Sequence, residues 1–169
     1  MIRKNHGILV FAAAASCVSA ASANIFTLRD IVLEGSQVVP SVDTDGHGMV
    51  DITVDTGTRL VTIDGWYADM SSDVFGAHLH GGAGPGENSP AVYIVLTQTG
   101  GTSGTLFGSR RLLIAQMETF MADRTYINVH TDNFQDGEIR GQVFVPAPAG
   151  GAVLAVFCGL QWRRRRRTA

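Results

Sequence analysis

Three histidines sit at spacings that suit metal chemistry. In Phe75-Gly76-Ala77-His78-Leu79-His80, a β-strand puts Phe75, Ala77 and Leu79 on one face and His78 with His80 on the other. In Tyr126-Ile127-Asn128-Val129-His130-Thr131, the same alternation sends Ile127 and Val129 to the core and leaves Tyr126, Asn128 and His130 opposite. If these two strands are neighbours, three imidazoles and an amide project from one side of one sheet. Two or three such nitrogens are a ligand set for Cu or Zn, with His78, His80 and His130 as the ligands. Asp132, Asp136 and Glu138 follow closely and are expected to orient the rings or add oxygen ligands. A second reading uses the same residues without an ion. Histidines near strand ends hydrogen-bond backbone or carboxylates in turns, and no fourth ligand is identifiable, so both readings stay open.

Other chemistries find less support. Asp43-Thr44-Asp45-Gly46 opens like a calcium loop, but no bidentate acid arrives at the required position. Ser103, in Gly101-Thr102-Ser103-Gly104-Thr105, lacks the second glycine of a nucleophile elbow. The glycine-rich stretch 81–86 leads to no helix and is not a phosphate cradle. The only cysteines, Cys17 and Cys158, lie in the terminal segments, so the central domain has no thiol nucleophile and no disulfide. No catalytic residue is assigned, and a non-enzymatic module is expected.

The elements that position the histidines are short β-branched runs punctuated by Gly, Asp and Asn. Strands are predicted over Phe26–Glu34, Gly48–Val54, Arg59–Tyr67, Val74–His80, Ala91–Thr97, Thr125–Thr131 and Glu138–Val145, with one short helix inside Leu112–Ala122. The segment Thr99–Gly104 reads as a loop. This is an all-β pattern: an antiparallel, Greek-key-like sandwich or barrel with at most one short helix, plus helices in the terminal signal and sorting segments. Glu138 and Arg140 share a face of the last strand. With Asn128 and Asp136 they are read as a structural motif, the charged pair fixing a loop through each other or through Asp136.

The two ends read as addresses. Residues 1–23 carry Arg3 and Lys4, an apolar stretch and Ala21-Ser22-Ala23, which is a signal peptide cleaved after Ala23, or alternatively after Ala20. The domain proper is then 24–145, and a sorting tail occupies 146–169. That tail holds Pro146-Ala147-Pro148, an apolar run Ala149–Trp162, and an arginine cluster beginning at Arg163. As a helix the apolar run spans about 21 Å, short of the roughly 30 Å hydrocarbon core, which suits transient membrane insertion. The arginines would stay on the cytoplasmic side. Between the ends, six arginines face all 15 acidic residues, an acidity that argues against a nucleic-acid partner.

Two resemblances follow from these motifs. The layout of Val145 to Arg167 resembles the PEP-CTERM class of sorting signals, with Ala147 where that class commonly has glutamate. The resemblance implies the export machinery and an exosortase-like protease as partners, and a cell-surface or extracellular destination. The segments Leu33-Glu34-Gly35-Ser36-Gln37-Val38-Val39-Pro40, Ala77-His78-Leu79-His80-Gly81-Gly82, Tyr126-Ile127-Asn128-Val129-His130-Thr131 and Asp136-Gly137-Glu138-Ile139-Arg140-Gly141-Gln142 together resemble the CHRD domain, named for chordin. That resemblance implies an extracellular β-sandwich of undefined biochemistry; the two sorting signals and the missing catalytic sets point to a non-enzymatic binding or structural module, with a surface polysaccharide or a protein as expected partner. The His-x-His strand is also similar to the copper strand of Cu/Zn superoxide dismutase, whose remaining ligand pattern and disulfide are absent here.

Overall fold

A computed structural model describes residues 24–146. The signal peptide with its cleavage at Ala23, and Pro148, the apolar run and Arg163 of the sorting tail, lie outside the described residues. Among the described residues no helix is long and apolar enough to cross a membrane.

Eight strands form the body: β1 (Ile25–Glu34), β2 (His47–Asp55), β3 (Leu60–Ala68), β4 (Val74–Gly81), β5 (Val92–Gln98), β6 (Gly104–Arg111), β7 (Thr125–Thr131) and β8 (Ile139–Val143). One helix, α1 (Ile114–Met121), follows β6, and a single 3₁₀ turn follows β1. The strands close into a barrel in the order β1-β2-β3-β6-β5-β4-β7-β8. The hairpin-connected trio β4-β5-β6 is flanked by β3 beside β6 and by β7 beside β4, giving two overlapping Greek keys. The expected all-β, one-helix architecture is present, as a closed barrel rather than the sandwich that the chordin-type resemblance implies.

Alternation fills the barrel. Val50, Ile52 and Val54 of β2, Val61 and Ile63 of β3, Ala77 and Leu79 of β4, and Ile127 and Val129 of β7 are all essentially inaccessible. Burying each large aliphatic side chain contributes about 1.5–3 kcal/mol before chain entropy is counted.

The strand that the sequence pattern hides is β6. Its inward positions include Leu106 and Gly108, and a Cβ at Gly108 would collide with Leu96 Cδ2 of β5. Glycine there makes room for the Leu96 side chain, and it erases the apolar alternation that marks the other strands. The register of β4 also shifts between Val74 and Gly76, which turns Phe75 out to 53% exposure instead of into the core.

The barrel closes weakly between β1 and β8, where Glu34 and Arg140 are the only register pair. Beside that pair the Gln37 amide bridges the strands, donating from Nε2 to Val32 O at 3.1 Å and accepting from Gln142 N at 3.0 Å. A side-chain amide here does the work of a peptide unit.

Candidate metal centre

The register of β4 against β7 pairs His78 with Asn128, His80 with Tyr126 and Gly76 with His130. The neighbouring strands that the spacing required are therefore present, and the three imidazoles converge. One ligand nitrogen from each of His78, His80 and His130 lies within 4.8 Å of the others. Among the described residues no other group of three such side chains occurs, and the loop at Asp43 to Gly46 brings together no such group. His47 is exposed and apart, with Nδ1 2.9 Å from Asp45 O.

Hydrogen bonds fix which nitrogens are free. His80 Nδ1 is 3.0 Å from Ser89 O, and His130 Nδ1 is 2.9 Å from Gln135 O. A carbonyl only accepts, so both Nδ1 atoms carry protons and both Nε2 atoms carry lone pairs. His78 Nδ1 donates to His130 Nε2 at 3.1 Å. His80 Nε2 is buried with no hydrogen-bond partner. Backbone carbonyls holding Nδ1–H while Nε2 is presented is the outer-shell arrangement common to metal-bound histidines.

The rings are kept neutral. Burial, reinforced by neighbouring imidazoles, pushes His80 down to about 4. Burial also lowers His78, with His130 adding to the effect, and it lowers His130 despite the Gln135 carbonyl and the Asp136 charge. Neutral imidazole is the metal-binding form, so protons compete poorly at neutral pH. Ring nitrogens of a tetrahedral site lie about 3.4 Å apart at ordinary metal–nitrogen lengths of about 2.1 Å. The pair at 3.1 Å is already near that spacing.

The outer face of β7 and β8 is not open to water, as simple alternation would have it. Loops from 82 to 89 and from 132 to 137 cover it, leaving His80 at 8% and His130 at 9% exposure. Tyr126 anchors the first loop: its hydroxyl donates to Ser89 O and accepts from Ser89 N, both at 3.1 Å. Its ring stacks on His80, with centroids 5.0 Å apart and planes 8° from parallel. Arg140 Cζ lies 3.7 Å from the centre of the same ring. Asn128 Nδ2 donates to Asp136 O at 2.9 Å, which anchors the second loop.

Several expected partnerships are replaced by others. The carboxylates do not orient the imidazoles; the carbonyls of Ser89 and Gln135 do, and no side-chain signal marks a carbonyl in a sequence. Glu138 and Arg140 do not pair with each other or with Asp136. Glu138 is fully buried and accepts from Thr44 Oγ1 (2.6 Å), Ser71 N (2.8 Å), Ser71 Oγ (2.8 Å) and Thr131 Oγ1 (2.6 Å). Arg140 is 1% exposed. It donates to Glu87 O (2.8 Å), Gly84 O (3.0 Å), Asn88 Oδ1 (3.3 Å) and Gln142 Oε1 (2.9 Å). Period two places Tyr126 on the correct face, but its stacking on His80 is visible only in three dimensions.

Arg140 therefore fastens the loop over the histidines. Lysine keeps the charge but loses the planar fork, so Arg140→Lys is expected to cost about 2 kcal/mol in denaturant unfolding. Hydrogen exchange at residues 84 to 88 should speed up in the same variant.

Residues 30–143 match the CHRD domain family model. No curated protein and no solved structure matches the chain. The matched span contains β2 to β8, all three convergent histidines and the buried Glu138 and Arg140. The chain belongs to the CHRD domain family.

Proposed function

We propose that this chain is an exported, non-enzymatic binding module whose working site is a copper or zinc centre formed by His78, His80 and His130. The observation that carries the reading is His80 Nε2, a lone pair buried without a partner beside two other imidazoles. Leaving such an atom unsatisfied costs about 1–3 kcal/mol, and an ion supplies the missing partner. A purely structural network would be expected to satisfy all its members. On its side are the backbone bonds of His80 and His130 and the 3.1 Å hydrogen bond between His78 and His130, which a cation replaces once the His78 proton moves from Nδ1 to Nε2.

Export and location rest on the sequence of the ends. In this reading residues 1–23 direct export and 146–169 insert transiently in the inner membrane. An exosortase-like protease then reads Pro146, Pro148 and the cluster at Arg163, and the domain works at the cell surface or outside. A surface polysaccharide or protein is its binding partner there.

The test is elemental analysis and metal titration of the chain after export to the periplasm. One Cu or Zn per chain is expected, and the double variant His78→Ala with His80→Ala should hold none. Native protein that retains no Cu or Zn under these conditions, or a double variant that binds as well as native, overturns the metal reading.

A further inference from the structure

Every strand glycine but one is closely crowded by a neighbour. A Cβ at Gly48, Gly65, Gly81, Gly104, Gly108 or Gly141 would approach a neighbouring atom closer than 3.0 Å. Gly76 of β4 is different. A Cβ there would meet His78 Cε1 at 3.6 Å, His130 Cδ2 at 3.9 Å and His78 Nε2 at 4.0 Å, all ordinary contacts, and its φ lies outside the left-handed region. Neither backbone nor packing asks for glycine, and glycine inside a strand weakens it. What the missing side chain leaves is space against the edges of two imidazoles that carry ligand nitrogens.

That space is the approach to the centre. His80 is covered by the loop that ends at Ser89, whereas His78 and Gly76 are half-buried and reachable from outside. The mouth is apolar: Phe75, 53% exposed, has its ring 6.1 Å from that of His130, and Val95, 69% exposed, is the register partner of His78. The charge balance points to what enters. Three neutral imidazoles leave a divalent ion uncompensated, and the nearest cation, Arg140, adds positive charge. Glu138 is turned away to Thr44, Ser71 and Thr131, and the exposed Asp136 is the acid whose charge reaches His130.

We infer that the three-histidine centre keeps an open coordination position on the Gly76 side, which takes a small monodentate anion from solution. This rests on the metal reading above. Three protein ligands with one position free is the arrangement of zinc sites that bind exogenous ligands.

The test uses the full chain loaded with Cu(II) and titrated with azide, followed by the azide-to-copper charge-transfer band and by electron paramagnetic resonance. Native protein is expected to form a saturable one-to-one adduct. Gly76→Val should weaken azide binding at least tenfold while copper stoichiometry stays at one per chain. Gly76→Ala, whose Cβ makes only ordinary contacts, should fall between, and it decides the matter if the valine variant does not fold. A copper-loaded native chain that forms no azide adduct overturns the open position but leaves the metal centre standing. So does azide affinity that is unchanged in the glycine variants. A chain that takes up neither Cu(II) nor Zn(II) overturns both.

Discussion

Replacing His80 with phenylalanine is expected to leave the metal-free barrel about as stable as the native chain while abolishing its response to metal. The substitution removes one hydrogen bond, from Nδ1 to Ser89 O, worth about 1 kcal/mol. The Ser89 carbonyl keeps a donor, because the Tyr126 hydroxyl also reaches it. Against that loss, the change deletes a buried Nε2 that has no partner, and it keeps an aromatic ring stacked on Tyr126. The two terms oppose each other, so unfolding in chelator should differ by less than about 1 kcal/mol. With metal present the variants separate. A ligand at 100 times its dissociation constant stabilises the native chain by about 2.7 kcal/mol, and His80→Phe should gain none of it. Loss of even an outer-shell partner weakens metal sites 10–100-fold, so losing a ligand should weaken binding by on the order of 100-fold or more. If His80 served only a hydrogen-bonded network, its removal would cost stability in chelator and leave the metal titration unchanged.

Which parts of this centre are legible in the sequence follows from which forces the sequence encodes locally. The period of two in β4 and β7 put His78, His80, Asn128 and His130 on one face, because alternation is a property of the strand itself. It fails at Phe75, three residues before His78, where a register shift between β4 and β7 breaks the period. It fails at β6 because glycine at 108 makes room for Leu96, and a glycine carries no apolar mark. The roles of Glu138 and Arg140 escape the sequence for a different reason. Opposite charges two residues apart on one strand face suggest a pair, but the loops that cover that face supply hydroxyls to one and carbonyls to the other. Those loops come from residues 44, 71 and 84 to 88, far away in sequence, and only the closed barrel brings them there.

Glu138→Ala is expected to destabilise the domain by about 3 kcal/mol at pH 7, because its carboxylate ties three segments together without a cation. Thr44 belongs to the loop before β2, Ser71 to the loop before β4, and Thr131 to the end of β7, next to His130. Burial alone would raise this carboxyl, but donors from Thr131, Thr44 and the amide and hydroxyl of Ser71 outweigh it and hold the group below its usual value of 4.5. The sign of the pH dependence follows. A carboxyl whose folded value lies below its unfolded one stabilises fully above the unfolded value, and that contribution is lost as pH falls through the folded value. The gap between native and Glu138→Ala stability should therefore be flat from about pH 6 to 8 and shrink below about pH 4.5. Thermal melts should show the native chain about 10–15 °C higher at pH 7 and the two converging in acid. Glu138→Gln, which keeps the shape and can still accept from the Ser71 amide, should lose less and show no such convergence toward the alanine variant in acid. A native–alanine gap that persists undiminished at pH 3 would mean that the shape of the side chain, and not its charge, holds the three loops. In that case His130 of β7 would owe its placement to packing around Thr131 alone.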